Sequence, residues 1–275
     1  MKTLNNHLIL YDAHCPMCDL YTGVFVKTGL LPADGRAPYQ QTAFNTCPNV
    51  DRQRAVNEIA LINRETGEVT YGIKSLFRIA GNACPVLGPV FRFEPVVWLF
   101  SKFYAFISYN RRVIIPAAAS HSDNDLQPTF RMRYRIAYLL LTWFATGFIL
   151  TNYTHLMIGI ISKGNGLREY FICGGQIFFQ GIVLLILYRE KLWDYLGNMM
   201  TVSFAGALVL AIGMGIGHLT HFTPAVYLIF FLLTAGAMLF EHLRRCKLLG
   251  LSRAPSATWV FYRLIVLCLI LTGLI

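Results

Sequence analysis

Cys15 and Cys18 stand two residues apart in Cys15-Pro16-Met17-Cys18, a spacing that lets two sulfurs trade with a disulfide or share a soft metal ion. Exchange needs one thiol poised as a thiolate and a second within reach of the mixed disulfide. If a helix begins at the motif, its free N–H groups and partial positive charge favour a Cys15 thiolate. Cys15 would then stay exposed as the attacking nucleophile, and Cys18, one turn further in, would resolve the adduct. Asp12 could take up a proton during exchange, but a carboxylate there better suits a loop or helix-cap hydrogen bond. His14 could lower the Cys15 pKa when protonated, or stand simply as an exposed side chain. A zinc site needs a second ligand pair, and Cys47 and Cys84 are single, each followed by proline. The metal alternative is therefore a soft ion such as Cu(I), held by Cys15 and Cys18 in a membrane transport or assembly factor.

The elements around the pair are legible. Leu8 to Tyr11 is a short apolar run read as a buried strand ending at Asp12. Pro16 suits the first turn of a helix, and Leu20, Tyr21, Val24 and Phe25 recur at helical spacing until Gly29. Val56–Asn63, the Glu65-Thr66-Gly67 turn and Glu68–Tyr71 read as a hairpin, and Ile73–Ala80 returns to helical spacing. Pro95–Asn110 is rich in aromatics but too short in its apolar stretch to cross a bilayer, so a packed or interfacial helix is expected. Residues 116–130 have linker composition and divide a first domain, 1–115, from a second, 131–275.

The second domain is apolar. The chain of 275 residues is 55% hydrophobic and 14% charged, which excludes an ordinary soluble globule. Four runs are long enough to span: Tyr134–Ile158, Tyr170–Tyr188, Met199–Gly217 and Ala225–Phe240; a fifth, Trp259–Ile275, is marginal. Residues 129–275 hold 12 Lys/Arg against 4 Asp/Glu, an excess that flanks the runs and fits the positive-inside rule rather than nucleic-acid binding. Arg131, Arg133, Arg135, Arg189, Lys191, Arg244, Arg245, Lys247 and Arg253 fall on one side, and only Lys163 and Arg168 on the other. Met1–Asn6 is polar and no secretory h-region follows, so a multi-pass protein of the cell inner membrane is expected, with its N-terminal domain in the cytoplasm. Arg263, inside the fifth run, is expected to snorkel toward the cytosolic headgroups.

The remaining candidates read as structural. Cys47, Cys84, Cys173, Cys246 and Cys268 fit ordinary buried thiols better than an electron relay. His155, His218, His221 and His242 fit interfacial positions, and Gly213 and Gly217 a helix-packing face. Glu169, Glu190, Asp194 and Glu241 lie near helix ends, leaving no buried acidic pair of the kind proton-coupled transporters use.

The motif Tyr11-Asp12-Ala13-His14-Cys15-Pro16-Met17-Cys18 resembles the signature of the DCC family of thiol-disulfide oxidoreductases, named for Asp-x-x-Cys-x-x-Cys. Gly67, Gly72 and the Tyr104…Asn110-Arg111 ending extend the resemblance over roughly residues 7–112. It implies a thioredoxin-like α/β domain ahead of an all-α transmembrane bundle of four to five helices, with Cys15 and Cys18 as the redox pair and Asp12 and His14 beside them. The implied partners are a protein or small-molecule disulfide, an electron donor of unspecified identity and the lipid bilayer, with no cofactor and no nucleic acid. Proline directly after the first cysteine is the glutaredoxin-like arrangement, for which a potential of about −200 to −230 mV is expected. Two departures stand out: Ala13-His14 replaces the usual Gly-Asp, and no proline precedes the strand at Glu58–Ile62, where thioredoxin has a cis-proline.

Overall fold

Alternation along two strands explains how the N-terminal part of the chain is built. The computed structural model describes residues 2–40, 49–116, 128–161 and 164–275. Cys47, Lys163 and most of the expected linker lie outside the described residues. The described chain divides into two units, Met1–Tyr134 and Arg135–Ile275.

In the first unit, β1 (His7–Tyr11), β2 (Arg36–Pro38), β3 (Ala60–Asn63) and β4 (Val69–Tyr71) form one mixed sheet in the order β2-β1-β3-β4. β1 runs parallel to β2 and antiparallel to β3, and β3 pairs antiparallel with β4. Successive side chains point to opposite faces. Ile9 and Leu61 therefore meet Leu31, Ile59 and Ile79 on one side, while Leu10, Ala60 and Ile62 meet Val50, Ala55 and Val56 on the other. Both faces are covered, which is why Leu8–Tyr11 is continuously apolar.

The helices are α1 (Pro16–Lys27), α2 (Arg52–Asn57), α3 (Ile73–Ala83), α4 (Gly88–Arg92) and α5 (Glu94–Ile114). The expected hairpin forms, but Val56 and Asn57 belong to α2 rather than to its first strand. The Asp51 carboxylate caps that helix by accepting the Arg54 N–H at 2.9 Å. Thr129, at the far end of the expected linker, is bonded to Asn57 through both its N–H and its hydroxyl.

The second unit is helical: α6 (Met132–His155, which begins in the first unit), α7 (Arg168–Leu187), α8 (Leu192–Thr220), α9 (Pro224–Leu248) and α10 (Ala254–Leu271). All five are long and apolar enough to cross a membrane, including the run expected to be marginal. Outward side chains such as Phe171, Phe178, Ile186 and Phe240 are large, apolar and exposed, so the chain is a multi-pass membrane protein. α8 and α9 approach closely where α8 has no side chain: a Cβ on Gly213 would meet Phe230, and one on Gly217 would meet the Tyr227 hydroxyl.

Two expectations need correction here. His242 is not interfacial: it is 1% exposed, bonded to the Tyr195 hydroxyl and Ser256 Oγ and stacked on Trp259. These three polar and aromatic neighbours let an imidazole sit in the core without an unmet hydrogen bond. Glu169 lies at a helix end as expected, yet it is buried and paired with Arg168 at 2.9 Å, which offsets the cost of its charge.

Candidate functional site

Proline decides where α1 starts. Pro16 is its first residue, so Cys15 is the N-cap, with extended backbone at φ −103° and ψ 106°. Cys18 lies one turn in, and the two thiols share a side-chain hydrogen bond. Cys15 is not the exposed thiol expected: it is 1% exposed and Cys18 3%. The physical reason is that its sulfur is engaged by Cys18, with the buried guanidinium of Arg111 near enough for its charge to act on the thiol.

Asp12 organises the loop. Its Oδ1 accepts the His14 N–H at 3.1 Å and Gln40 Nε2 at 2.7 Å. Its Oδ2 accepts Arg111 Nη2 at 3.1 Å, with Arg112 at 3.8 Å. Gln40 in turn accepts the Ala13 N–H through Oε1, so the turn between β1 and α1 is bonded at both ends. The carboxylate acts as a loop clamp and makes no helix cap; the Cys15 N–H is held instead by the Asp12 carbonyl. His14 is exposed, and its backbone N–H donates to the Asp12 carboxylate.

Arg111 reaches the loop from α5. Tyr104, Ser108 and Arg111 share one face of that helix at three- and four-residue steps. The guanidinium also donates to the Val56 carbonyl at 2.8 Å and the Asn57 carbonyl at 3.3 Å, while Ser108 Oγ donates to the same Asn57 carbonyl. Tyr104 accepts the Ile59 N–H at 3.0 Å. Gly72 adjoins that ring: with φ +60° it lies in the left-handed region, and a Cβ there would fall 2.9 Å from Glu58 Oε2 and 3.2 Å from Tyr104 Cε1.

The electrostatics separate the two thiols. The hydrogen bond with Cys18 pulls the Cys15 thiol down to about 6, against the effect of burial and with help from the Arg111 charge. The same bond, with burial, pushes Cys18 up. Burial opposes the charge on Arg111, but Cys18, Cys15 and Asp12 outweigh it and raise its pKa, so the guanidinium stays charged. The Tyr21 hydroxyl points at Cys18 Sγ at 3.9 Å. Such a site can present one thiolate at neutral pH beside a protonated partner thiol.

The sequence-based candidates Asp12, Cys15 and Cys18 are thus brought together, and His14 adjoins them through its backbone. Gln40 and Tyr21 were missed; neither carries a motif. Arg111 was marked only by the family resemblance, since nothing local pairs it with a carboxylate 99 positions away. Cys84 and Cys268 are exposed, while Cys246 lies buried beside His242. Among the described residues no group of three or more His, Cys, Asp or Glu could hold a metal ion. No protein-family model, curated protein or solved structure matches this chain.

Proposed function

We propose that this protein is a membrane-anchored thiol-disulfide oxidoreductase acting through Cys15 and Cys18. The observation that carries the reading is the pairing of a thiol lowered to about 6 at a helix N-cap with a protonated thiol one turn away, beside a buried arginine. The Cys15 thiolate attacks one sulfur of a substrate disulfide and expels the other as a thiolate. The Cys18 thiol, giving up its proton, then attacks Cys15 Sγ and releases the second thiolate. The substrate gains two electrons, the protein is left with a Cys15–Cys18 disulfide, and a dithiol donor restores it.

A strand, a cysteine loop and a helix followed by an antiparallel hairpin support a thioredoxin-like domain of the DCC type. So does the convergence on one site of Asp12, Cys15, Cys18, Gly72, Tyr104 and Arg111, which carry the resemblance across a hundred residues of chain. The backbone groups of Val56, Asn57 and Ile59 beside the site are taken up by Arg111, Ser108 and Tyr104. A substrate strand has little left to pair with there, which favours a small-molecule disulfide or a short exposed one. The positive-inside pattern supports a cytoplasmic face at the inner membrane.

The test is a Cys18→Ser variant of the full chain. It should accumulate mixed disulfides through Cys15 that a reductant releases and that a Cys15→Ser variant lacks. If no adducts form and purified wild-type protein instead carries stoichiometric copper, lost in the Cys15→Ser, Cys18→Ser double variant, metal handling replaces exchange.

A further inference from the structure

Exposed apolar side chains on the first unit are concentrated in one segment. Of the thirteen large apolar residues exposed among its described residues, nine lie between Val86 and Ile107, in α4, the turn before it and α5. Within that segment Val86 is 84% exposed, Trp98 63%, Phe93 59% and Phe103 58%. A concentration of this kind on a unit with its own core marks an interaction surface.

α5 is apolar on two sides, and only one of them packs. Val97, Tyr104 and Arg111 lie on the inner side, where Tyr104 and Arg111 bond the chain beside the cysteine loop. Leu99, Phe103 and Ile107 follow one another at four-residue steps on the outer side, with Trp98 and Lys102 alongside, and all five are exposed. α4 is held from behind: Phe91 stacks on Phe77 of α3 at 4.5 Å, and Phe77 meets Phe100 edge-on at 5.7 Å. With Phe91 engaged there, Val90 and Phe93 remain exposed.

Charge indicates what covers this surface. Residues 69–122 hold six Lys/Arg against a single carboxylate, Glu94. Arg92 and Lys102 are exposed, and Lys102 Nζ lies 5.7 Å over the Trp98 ring. Large apolar side chains beside a tryptophan and a lysine suit the headgroup layer of a membrane, and the positive excess suits anionic lipid. A bilayer is also close by: seventeen residues separate Ile114 from Met132, where the first membrane-spanning helix begins. That length reaches about 60 Å at most. Tethering at such range raises the effective concentration of lipid, so modest apolar burial is enough to seat the face.

We propose that the outer face of α4 and α5 is seated in the headgroup layer of an anionic bilayer, with Trp98 and Phe103 at the acyl boundary and Arg92 and Lys102 at the phosphates. α5 then serves twice. Its inner side holds the cysteine loop through Arg111, and its outer side sets the height of that loop above the lipid, on the order of 10 Å, one helix diameter. The seating does not depend on the chemistry of Cys15 and Cys18.

The experiment puts the photocrosslinker p-benzoylphenylalanine in place of Phe103 in the full chain, reconstituted in liposomes of phosphatidylcholine and phosphatidylglycerol. Thr66, exposed in the turn between β3 and β4, takes the same group as a control. After irradiation, mass spectrometry should find phospholipid adducts at position 103 and few or none at position 66. Adding Arg92→Glu and Lys102→Glu should lower the yield at position 103 severalfold. Equal lipid yields at the two positions, or a yield unmoved by the charge reversal, would overturn the proposal. Crosslinks from position 103 only to this chain or to a second copy would also overturn it, and would name a protein surface as the occupant.

Discussion

Arg111 Nη2 meets Asp12 Oδ2 at 3.1 Å, and both side chains are almost wholly removed from solvent, at 6% and 2% exposure. The pair joins the end of β1 to the last turns of α5, so the helix farthest along the first unit fixes the cysteine loop. Burying two charges costs several kcal/mol per ion, and here the terminal guanidinium nitrogens also donate to the Val56 and Asn57 carbonyls and the carboxylate also accepts from Gln40 and His14, while Arg111 Nε is left without a hydrogen bond.

Removing both partners should cost less than the two single removals added together. Arg111→Met leaves a buried carboxylate and should cost about 3–5 kcal/mol. With Asp12→Asn added, the double variant should lose less than the sum of the two single losses by about 0.5–3 kcal/mol. Hydrogen exchange at the slowest amides of β1 and β3 in the full chain reads these losses. Strict additivity would show that the pair does not hold the loop.

Cys15 should be alkylated with a rate that rises with pH to a half-maximum near 6, followed on its own peptide by mass spectrometry. Cys18→Ala removes the hydrogen bond that lowers it most and should move the midpoint up toward the ordinary 9.0. The sign for stability follows. A thiol whose folded pKa lies below its unfolded value contributes stability that is complete above about 9 and lost as pH falls through about 6. Cys18 is shifted the other way, so its contribution is present below about 9 and fades as pH rises beyond it. The two thiols should therefore make the reduced protein more stable as pH rises from about 6 toward 9 and less stable beyond it; a midpoint near 9 for Cys15 alkylation would refute the thiolate.

What could be read from sequence was what local pattern dictates. Leu8–Tyr11, Pro16 and Gly29 announce a strand and a helix because apolar runs, proline and glycine act within a few residues, and the spans show in composition alone. α2 escaped notice although Asp51 is a recognisable cap, because six residues are too few to show a period. β2, at three residues, has no pattern of its own and exists through pairing with β1. The burial of Cys15 and the charge beside it depend on Arg111, and a contact across 99 positions leaves no local trace. His242 looked interfacial for the same reason: its partners Tyr195 and Ser256 lie on other helices.

Gly72→Ala and Gly29→Ala form a controlled pair. Both positions have positive φ, +60° and +71°, so both substitutions carry backbone strain of about 1–2 kcal/mol. At Gly29 a methyl would meet nothing within 4 Å, whereas at Gly72 it would press on Glu58 and Tyr104. Gly72→Ala should therefore cost at least about 1 kcal/mol more. It should also speed exchange of the Ile59 amide, which the Tyr104 hydroxyl holds. Equal losses would mean that Tyr104 yields freely and does not brace the site.

Five crossings would place Met1 and Ile275 on opposite sides of the membrane, and the flanking charges predict which is which. Arg131 precedes α6 and Arg133 lies in its first turn, Arg189 and Lys191 lie between α7 and α8, Lys247 lies in the last turn of α9, and Arg253 directly precedes α10. On the opposite side stand Lys163 and Arg168, the latter paired with Glu169, and the α8–α9 end, with His218 in the last turn of α8 and His221 just after it, has no lysine or arginine. The pairing neutralises a charge that would otherwise blur the asymmetry, so the first unit should face the cytoplasm. Cys84 is exposed on that unit and serves as its native reporter, while Leu274→Cys reports on the C-terminus. In intact cells an impermeant maleimide should label the cysteine of Leu274→Cys and leave Cys84 untouched until the membrane is permeabilised. Labelling of Cys84 in intact cells would reverse the topology and move the cysteine pair to the oxidising side. Protection of both would mean that α10 does not cross.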